Sequence, residues 1–237
     1  MKTLFLAFVC FITCCAKCQL TIGVKGGYNN TKLNMTSNSF VNPGGVEDTY
    51  GGGSGWQAGL YAERALHKWF IYSGADVSGT SFYHNSAYGF DYRYINTTYR
   101  PVYLSVPLGA GYLYSFAKNF ALKLYGGVYG QAALGGKAKT SSLFCGDLLP
   151  CQEDKSITEK HNIEFSKTTP GSLAPLNAGL QIGAGIQALK KVEVVFMYNA
   201  GLSNIMPADF KNYPVRLSTF TIDAKYKLTT FGAKHRG

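Results

Sequence analysis

Beyond its first twelve residues, the chain has no apolar run approaching the roughly 18 residues that mark a spanning helix. A chain of this kind can cross a membrane only as a closed barrel of strands, because open sheet edges leave backbone groups unsatisfied in lipid. Charge is scarce too, at 15% of residues. That is too little to cover the wet faces of a soluble two-sheet sandwich, the main structural rival. Of six cysteines, four (Cys10, Cys14, Cys15 and Cys18) fall in the first 18 residues, leaving Cys145 and Cys151. A pair so close in sequence shapes one loop and does not hold a fold together. No Pro/Ser-rich linker or shift in composition divides the chain, so one domain is expected. The basic residues are scattered and leave no nucleic-acid footprint. His67, His84, His161 and His235 show no metal-ligand spacing, so neither a metal nor another cofactor is expected.

The N-terminus runs Met1-Lys2-Thr3, then apolar from Leu4 to Ile12, then Thr13-Cys14-Cys15-Ala16-Lys17-Cys18. Charged, apolar and small-residue parts follow in the order of a secretory signal, with cleavage expected before Gln19. Residues 1–18 are thus read as a leader, 19–231 as the folded domain and 232–237 as a basic tail. Removing 18 of 237 residues leaves 219, and losing Lys2 and Lys17 lowers the formal charge from +10 to +8. In an exported protein, Cys145 and Cys151 are expected to pair as a disulfide.

Abundant residues fit the same picture. Glycine makes up 28 of 237 residues, with 17 Tyr and 15 Phe, a composition suited to closely spaced strands with aromatic girdles. Apolar and polar or small residues alternate over long stretches. Leu122, Leu124, Val128 and Leu134 share one face while Lys123, Tyr125, Tyr129 and Gln131 share the other. From Leu176 to Ala188, Leu176, Leu180, Ile182 and Ile186 alternate with Asn177, Gln181 and Gln187. The period of two recurs at 20–28, 56–66, 102–114, 192–202 and 220–228, and more weakly at 69–80. Connections alternate between long (29–54, 82–98, 135–173, 203–218) and short (67–68, 115–119, 189–191). The fold class expected is all-β: an eight-stranded antiparallel up-and-down transmembrane β-barrel with short periplasmic turns and long extracellular loops.

Several segments carry a family resemblance: Gly23-Val24-Lys25-Gly26-Gly27-Tyr28-Asn29, Gly55-Trp56-Gln57-Ala58-Gly59-Leu60-Tyr61-Ala62-Glu63, Tyr103-Leu104-Ser105-Val106-Pro107-Leu108, and Val215-Arg216-Leu217 leading into Phe220-Thr221-Ile222-Asp223-Ala224-Lys225-Tyr226-Lys227-Leu228. The mature chain resembles the PorT-like, or porin-like, small outer-membrane barrels of Bacteroidota. That resemblance implies a place in the bacterial outer membrane, among its lipid and lipopolysaccharide, and insertion by the barrel-assembly machinery. Such barrels usually finish on an aromatic residue, whereas here Phe231 is followed by Gly232-Ala233-Lys234-His235-Arg236-Gly237.

Eight strands enclose a lumen that side chains nearly fill, which disfavours a general pore. Lys25, Glu63, Asp76, Lys123, Glu193, Asp223, Lys225 and Lys227 are expected to point inward and to neutralise one another as a charge network, since an unpaired buried charge is costly. His84 and Ser86 form the one close histidine–serine pair, superficially like that of lipid A deacylases, but the surrounding residues do not match and no enzyme is expected. The longest connection, 135–173, is far longer than a link requires. Its apolar tip, with Leu143, Phe144, Leu148 and Leu149, is expected either to bind a protein partner outside the cell or to fold back and plug the barrel mouth. The leading functional expectation is a non-enzymatic barrel with a structural or partner-binding role. Narrow solute passage is the alternative.

Overall fold

The computed structural model describes residues 19–34, 39–41, 46–88, 93–117, 119–144, 157–188, 191–206 and 214–231. Its elements are β1 (Leu20–Asn34), β2 (Ser39–Val41), β3 (Val46–Leu66), β4 (Trp69–Gly79), β5 (Phe82–Tyr88), β6 (Arg93–Ala117), β7 (Phe120–Phe144), β8 (Ile157–Asn162), β9 (Leu176–Ala188), β10 (Val192–Gly201) and β11 (Arg216–Phe231). Among the described residues, no helix is long and apolar enough to cross a membrane.

The strand pairings return to their start. β1 pairs β3, β3 pairs β4, β4 pairs β6, β6 pairs β7, β7 pairs β9, β9 pairs β10, β10 pairs β11, and β11 pairs β1, each antiparallel. Eight strands therefore close a ring, and the remaining three, β2, β5 and β8, extend it at one end. The closure between β1 and β11 runs from Leu20 opposite Phe231 to Asn34 opposite Arg216, with one register shift at Ile22/Gly23. Closure leaves no strand edge of the ring unpaired, which a hydrocarbon environment demands.

Alternation then sorts the side chains. Leu180 is 51% exposed and Val128 49%, while their chain neighbours Gln181 and Tyr129 are buried. The exposed set includes Leu60, Leu104, Leu108, Leu124, Ile182, Ile186, Phe196 and Ile222. Trp69, Tyr114, Phe116 and Phe120 mark one end of this apolar belt, and Tyr28, Trp56, Tyr198 and Phe220 lie toward the other. Such an exterior around a polar interior is the inverse of a soluble protein and suits a lipid belt flanked by aromatic girdles.

At one end the connections are tight, between Leu66 and Trp69, Ala117 and Phe120, and Ala188 and Val192. His67 takes a left-handed backbone, φ 64°, in the first of these, as a two-residue hairpin turn requires. At the opposite end the expected loops require correction. Segments assigned to 29–54 and 82–98 are in large part strand, and 135–173 is strand at 135–144 and 157–162: β1 continues to Asn34, β3 begins at Val46, β6 at Arg93, and β7 runs on to Phe144. β5 pairs both β3 and β6, and β8 pairs β7. Outside the belt their outer faces turn polar while only scattered apolar residues such as Phe82, Tyr99 and Ala138 point inward, so the sequence shows no continuous hydrophobic period, although the backbone pairing persists. Gly135, φ 155°, sits at the register shift where β7 leaves the belt. The extra residue keeps Leu134 and then Lys137 and Lys139 on the outer face. The fourth long segment, 203–218, yields to β11 only from Arg216.

Val128 lies in the middle of the apolar belt, with Leu108 and Leu180 as its cross-strand neighbours. Val128→Arg is expected to destabilise the barrel by about 2–4 kcal/mol, the cost of an arginine at the bilayer midplane. Folding titrations into phosphatidylcholine bilayers measure it.

Candidate functional site

The alternation of β3, β7, β10 and β11 brings Glu63, Lys123, Tyr125, Glu193 and Lys225 to one level of the lumen. Lys123 Nζ donates to Glu63 Oε2 at 2.5 Å and to Glu193 Oε2 at 2.9 Å. Lys225 Nζ donates to Glu63 Oε1 at 3.2 Å and to the Tyr125 hydroxyl oxygen at 3.1 Å. The Tyr125 hydroxyl in turn bridges Glu63 and Glu193. Two carboxylates and two ammonium groups thus balance. Their cations also lie over aromatic faces: Lys123 Nζ is 5.1 Å from the Phe70 ring and Lys225 Nζ 4.3 Å from that of Tyr125. Phe70, Tyr72, Tyr125, Val195 and Met197 pack as an apolar layer at this level, where an unpaired buried charge is costly.

A second level holds Lys25 and Asp76, paired at 2.6 Å. Asp223 accepts from Gln57 Nε2 at 2.5 Å. Asn29 donates to the backbone oxygens of Trp56 and Gly79. A cavity of about 60 Å³ lies among Lys25, Asn29, Gln57, Asp76, Thr221 and Asp223. Asn29 Oδ1, Asp76 Oδ1 and Thr221 Oγ1 have no protein partner. At roughly 10–15 Å³ per water centre, this space suits a few waters and no larger solute. The eighth expected charge, Lys227, is half-buried near the tight-turn end, where its amide donates to the Lys191 oxygen.

Beyond the cavity the barrel mouth is filled. Leu33, Phe82, Tyr99, Ala138 and Leu217 from the wall pack with Ile163, Leu173, Ile205, Met206 and Val215 from the long connections. Leu173 and Val215 are 0% exposed and Ile205 1%. Such burial in a loop requires satisfied backbone groups, and Leu173 N donates to Glu164 O, Ala174 N to Ile205 O and Ile205 N to Val215 O. Part of the longest connection therefore folds into the mouth, through Ile163 and Leu173. Leu143 is partly buried near the far end of β7, whose backbone ends at Phe144. Cys145, Leu148, Leu149 and Cys151 lie outside the described residues, as do 1–18 and 232–237.

His84 and Ser86 stand two apart on β5, with Ser86 Oγ 3.1 Å from His84 Nε2 and the His84 ring stacked on Tyr50 at 4.2 Å. The two side chains share one face of β5, which puts an i, i+2 pair within reach of each other. Of the eight charges expected to face inward, Lys25, Glu63, Asp76, Lys123, Glu193 and Lys225 are ion-paired; Tyr125, the bridge between the carboxylates, was not expected, and its signal was its place two residues after Lys123 on the inward face. Sequence reasoning also missed Ile163, Leu173, Ile205 and Val215, whose signal was isolated apolar residues within polar connections.

The family described as outer membrane protein beta-barrel domain matches residues 17–206. Among solved structures, the chain is similar to Ail, the attachment invasion locus protein of Yersinia pestis, seen in complex with the heparin analogue sucrose octasulfate: 14% identity, 90% of this chain and 99% of that one covered, TM-score 0.40. It is also similar to Neisserial surface protein A, with 10% identity, 87% and 97% coverage and TM-score 0.39. No curated protein matches.

Glu63 is the hub of the inner cluster, taking both ammonium groups. Glu63→Gln leaves Lys123 and Lys225 with Glu193 as the one remaining carboxylate of the set. The expected cost is about 3–5 kcal/mol, as for breaking other buried ion pairs. It is read as a lowered temperature for conversion of the compact to the unfolded band on a detergent gel.

Proposed function

The chain belongs to the outer membrane protein beta-barrel domain family, and from that premise we propose that it is a non-conducting, non-enzymatic barrel that adds structure to the outer membrane and presents its β6–β7–β8 ribbon to a partner outside the cell. The observation that carries this reading is the filled lumen. An apolar layer around a balanced ion cluster lies at one level and an apolar plug at the other, with space for a few waters between them. Solute passage would require both to move.

The ribbon is where the molecule invests chain beyond what closure needs. β6 and β7 are each 25 residues long, more than twice the span of about ten residues that crosses a bilayer. The connection between β7 and β8 contains residues 145–156, and in this proposal Cys145 and Cys151 pair as a disulfide that shapes it, with Leu148 and Leu149 as apolar contact residues. A cleaved leader ending at Cys18, insertion by the barrel-assembly machinery and a PorT-like origin in Bacteroidota complete the reading. His84 and Ser86 hold no catalytic role in it.

Purified protein in a planar bilayer is expected to show no stable conductance; discrete, reproducible channels would overturn the closed-barrel reading. For the ribbon, cross-linking on intact cells is run with the native chain and with residues 145–156 replaced by a short Gly-Ser turn. A specific cross-linked partner should disappear with the replacement. An identical cross-linking pattern from both chains would sink the loop's assigned role.

A further inference from the structure

Four cations stand together on the outer face just beyond the apolar belt. The register places Trp56 opposite Gly79, Gly79 opposite Val102, and Val102 opposite Gly135, a row at the level of the outer aromatic girdle. One pleat farther out, Arg100 is opposite Lys137, and Lys137 opposite Asn162. One more pleat out, Thr98 is opposite Lys139, and Lys139 opposite Lys160. Each of these two-residue steps spans roughly 7 Å along a strand, so Arg100, Lys137, Lys139 and Lys160 begin where the hydrocarbon ends. All four are exposed.

Direct cross-strand pairs of like charge destabilise a sheet. Here two such pairs adjoin, and among the described residues none of the four cations has an ion-pair partner. Arrangement of this kind is relieved by an anion lying across it. Two pleats toward the bilayer from Arg100, roughly 14 Å along the strand, a groove of about 660 Å³ on the lipid-facing wall runs between Leu104, Val106, Gly130, Ala132, Leu176 and Ala178. Gly130 makes its floor: a Cβ there would meet nothing within 4 Å. Lys167, Ser203 and Asn204 border the groove as well. Cations above and an apolar channel below match one molecule that carries phosphate at its head and an acyl chain beneath.

We propose that this face binds a phosphorylated, acylated lipid of the outer leaflet, with its phosphates on Arg100, Lys137, Lys139 and Lys160 and one acyl chain in the Gly130 groove. The proposal rests on the chain being an outer-membrane barrel, not on the closed lumen or on the loop partner. Each cation near an anionic lipid surface contributes roughly a fivefold gain in affinity, so the four together contribute on the order of several hundredfold. The binding weakens as salt rises, because the strip is exposed.

The test uses the full mature chain refolded into phosphatidylcholine nanodiscs, titrated with lipid A, with dephosphorylated lipid A and with soluble inositol hexakisphosphate. Lipid A is expected to bind saturably. The variant carrying Arg100→Ala, Lys137→Ala, Lys139→Ala and Lys160→Ala should lose affinity by several hundredfold. Gly130→Leu should weaken lipid A while leaving the salt dependence of binding unchanged. Dephosphorylated lipid A should bind weakly, and the soluble polyanion should compete poorly. Lys139→Glu separates recognition from folding: it sets a carboxylate opposite Lys160, so the unfolding temperature without lipid A should hold or rise while lipid A affinity falls. Equal lipid A affinity of native chain and quadruple variant overturns the proposal. So does tight inositol hexakisphosphate binding that Gly130→Leu leaves untouched, which would make the strip a site for soluble polyanions, and so does a drop in unfolding temperature for Lys139→Glu.

Discussion

Every other feature of this protein depends on the hydrogen-bonded closure of β1 onto β11. Lipid offers no partner for a backbone N–H or C=O, so a chain without spanning helices must satisfy all of them between strands, and only a ring leaves no edge. The long register from Leu20–Phe231 to Asn34–Arg216 accomplishes this. Once the ring is closed, the period of two becomes a strict sorting rule. One side of each strand meets hydrocarbon and the other meets the lumen.

With eight strands that lumen is narrow, and its chemistry follows from its width. Charged side chains placed inward have no bulk water to solvate them, so they have to find one another. Glu63, Glu193, Lys123 and Lys225 do so around the Tyr125 hydroxyl, and Lys25 does so with Asp76. At the other end the mouth is sealed by hydrophobic burial, through Leu173, Ile205 and Val215. An interior committed to its own satisfaction has little left over for a substrate. The proposed interaction chemistry accordingly lies outside, on the ribbons and on the wall beside them.

The ribbons show the same backbone pairing under a different constraint. Past Trp56 and Val102 the strands leave the apolar belt, and their outer faces change from Leu104 and Leu134 to Arg100, Lys137 and Lys139. The bulge at Gly135 is what keeps these lysines on the outer face. One residue more or fewer would have turned them toward the plug. A local backbone irregularity thereby decides whether a cluster of cations faces the membrane surface or a hydrophobic core.

Sequence alone determined the class of structure: the alternation of Leu176, Leu180 and Ile186 with Asn177 and Gln181 marks a strand wet on one side and oily on the other, because side chains on a strand alternate faces whatever surrounds them. It also identified the tight turns, and it set Lys25, Glu63, Asp76, Lys123, Glu193 and Lys225 on the inward parity of their strands, since parity along a strand is local. It read 82–98 and, within 135–173, the segments 135–144 and 157–162 as loop, because a paired ribbon with a polar outer face and only scattered inward apolar residues such as Phe82 and Tyr99 carries no continuous hydrophobic period. It left open whether the longest connection binds or plugs, and the burial of Ile163 and Leu173 assigns that part of it to the plug. Only the tertiary structure decided which strands are neighbours, and with them the contacts between residues such as Glu63 and Lys225, 162 positions apart. The same holds for the gathering of Arg100, Lys137, Lys139 and Lys160 above a groove floored by Gly130. Register between strands is set by the summed pairing of whole edges, and no local run of residues contains it.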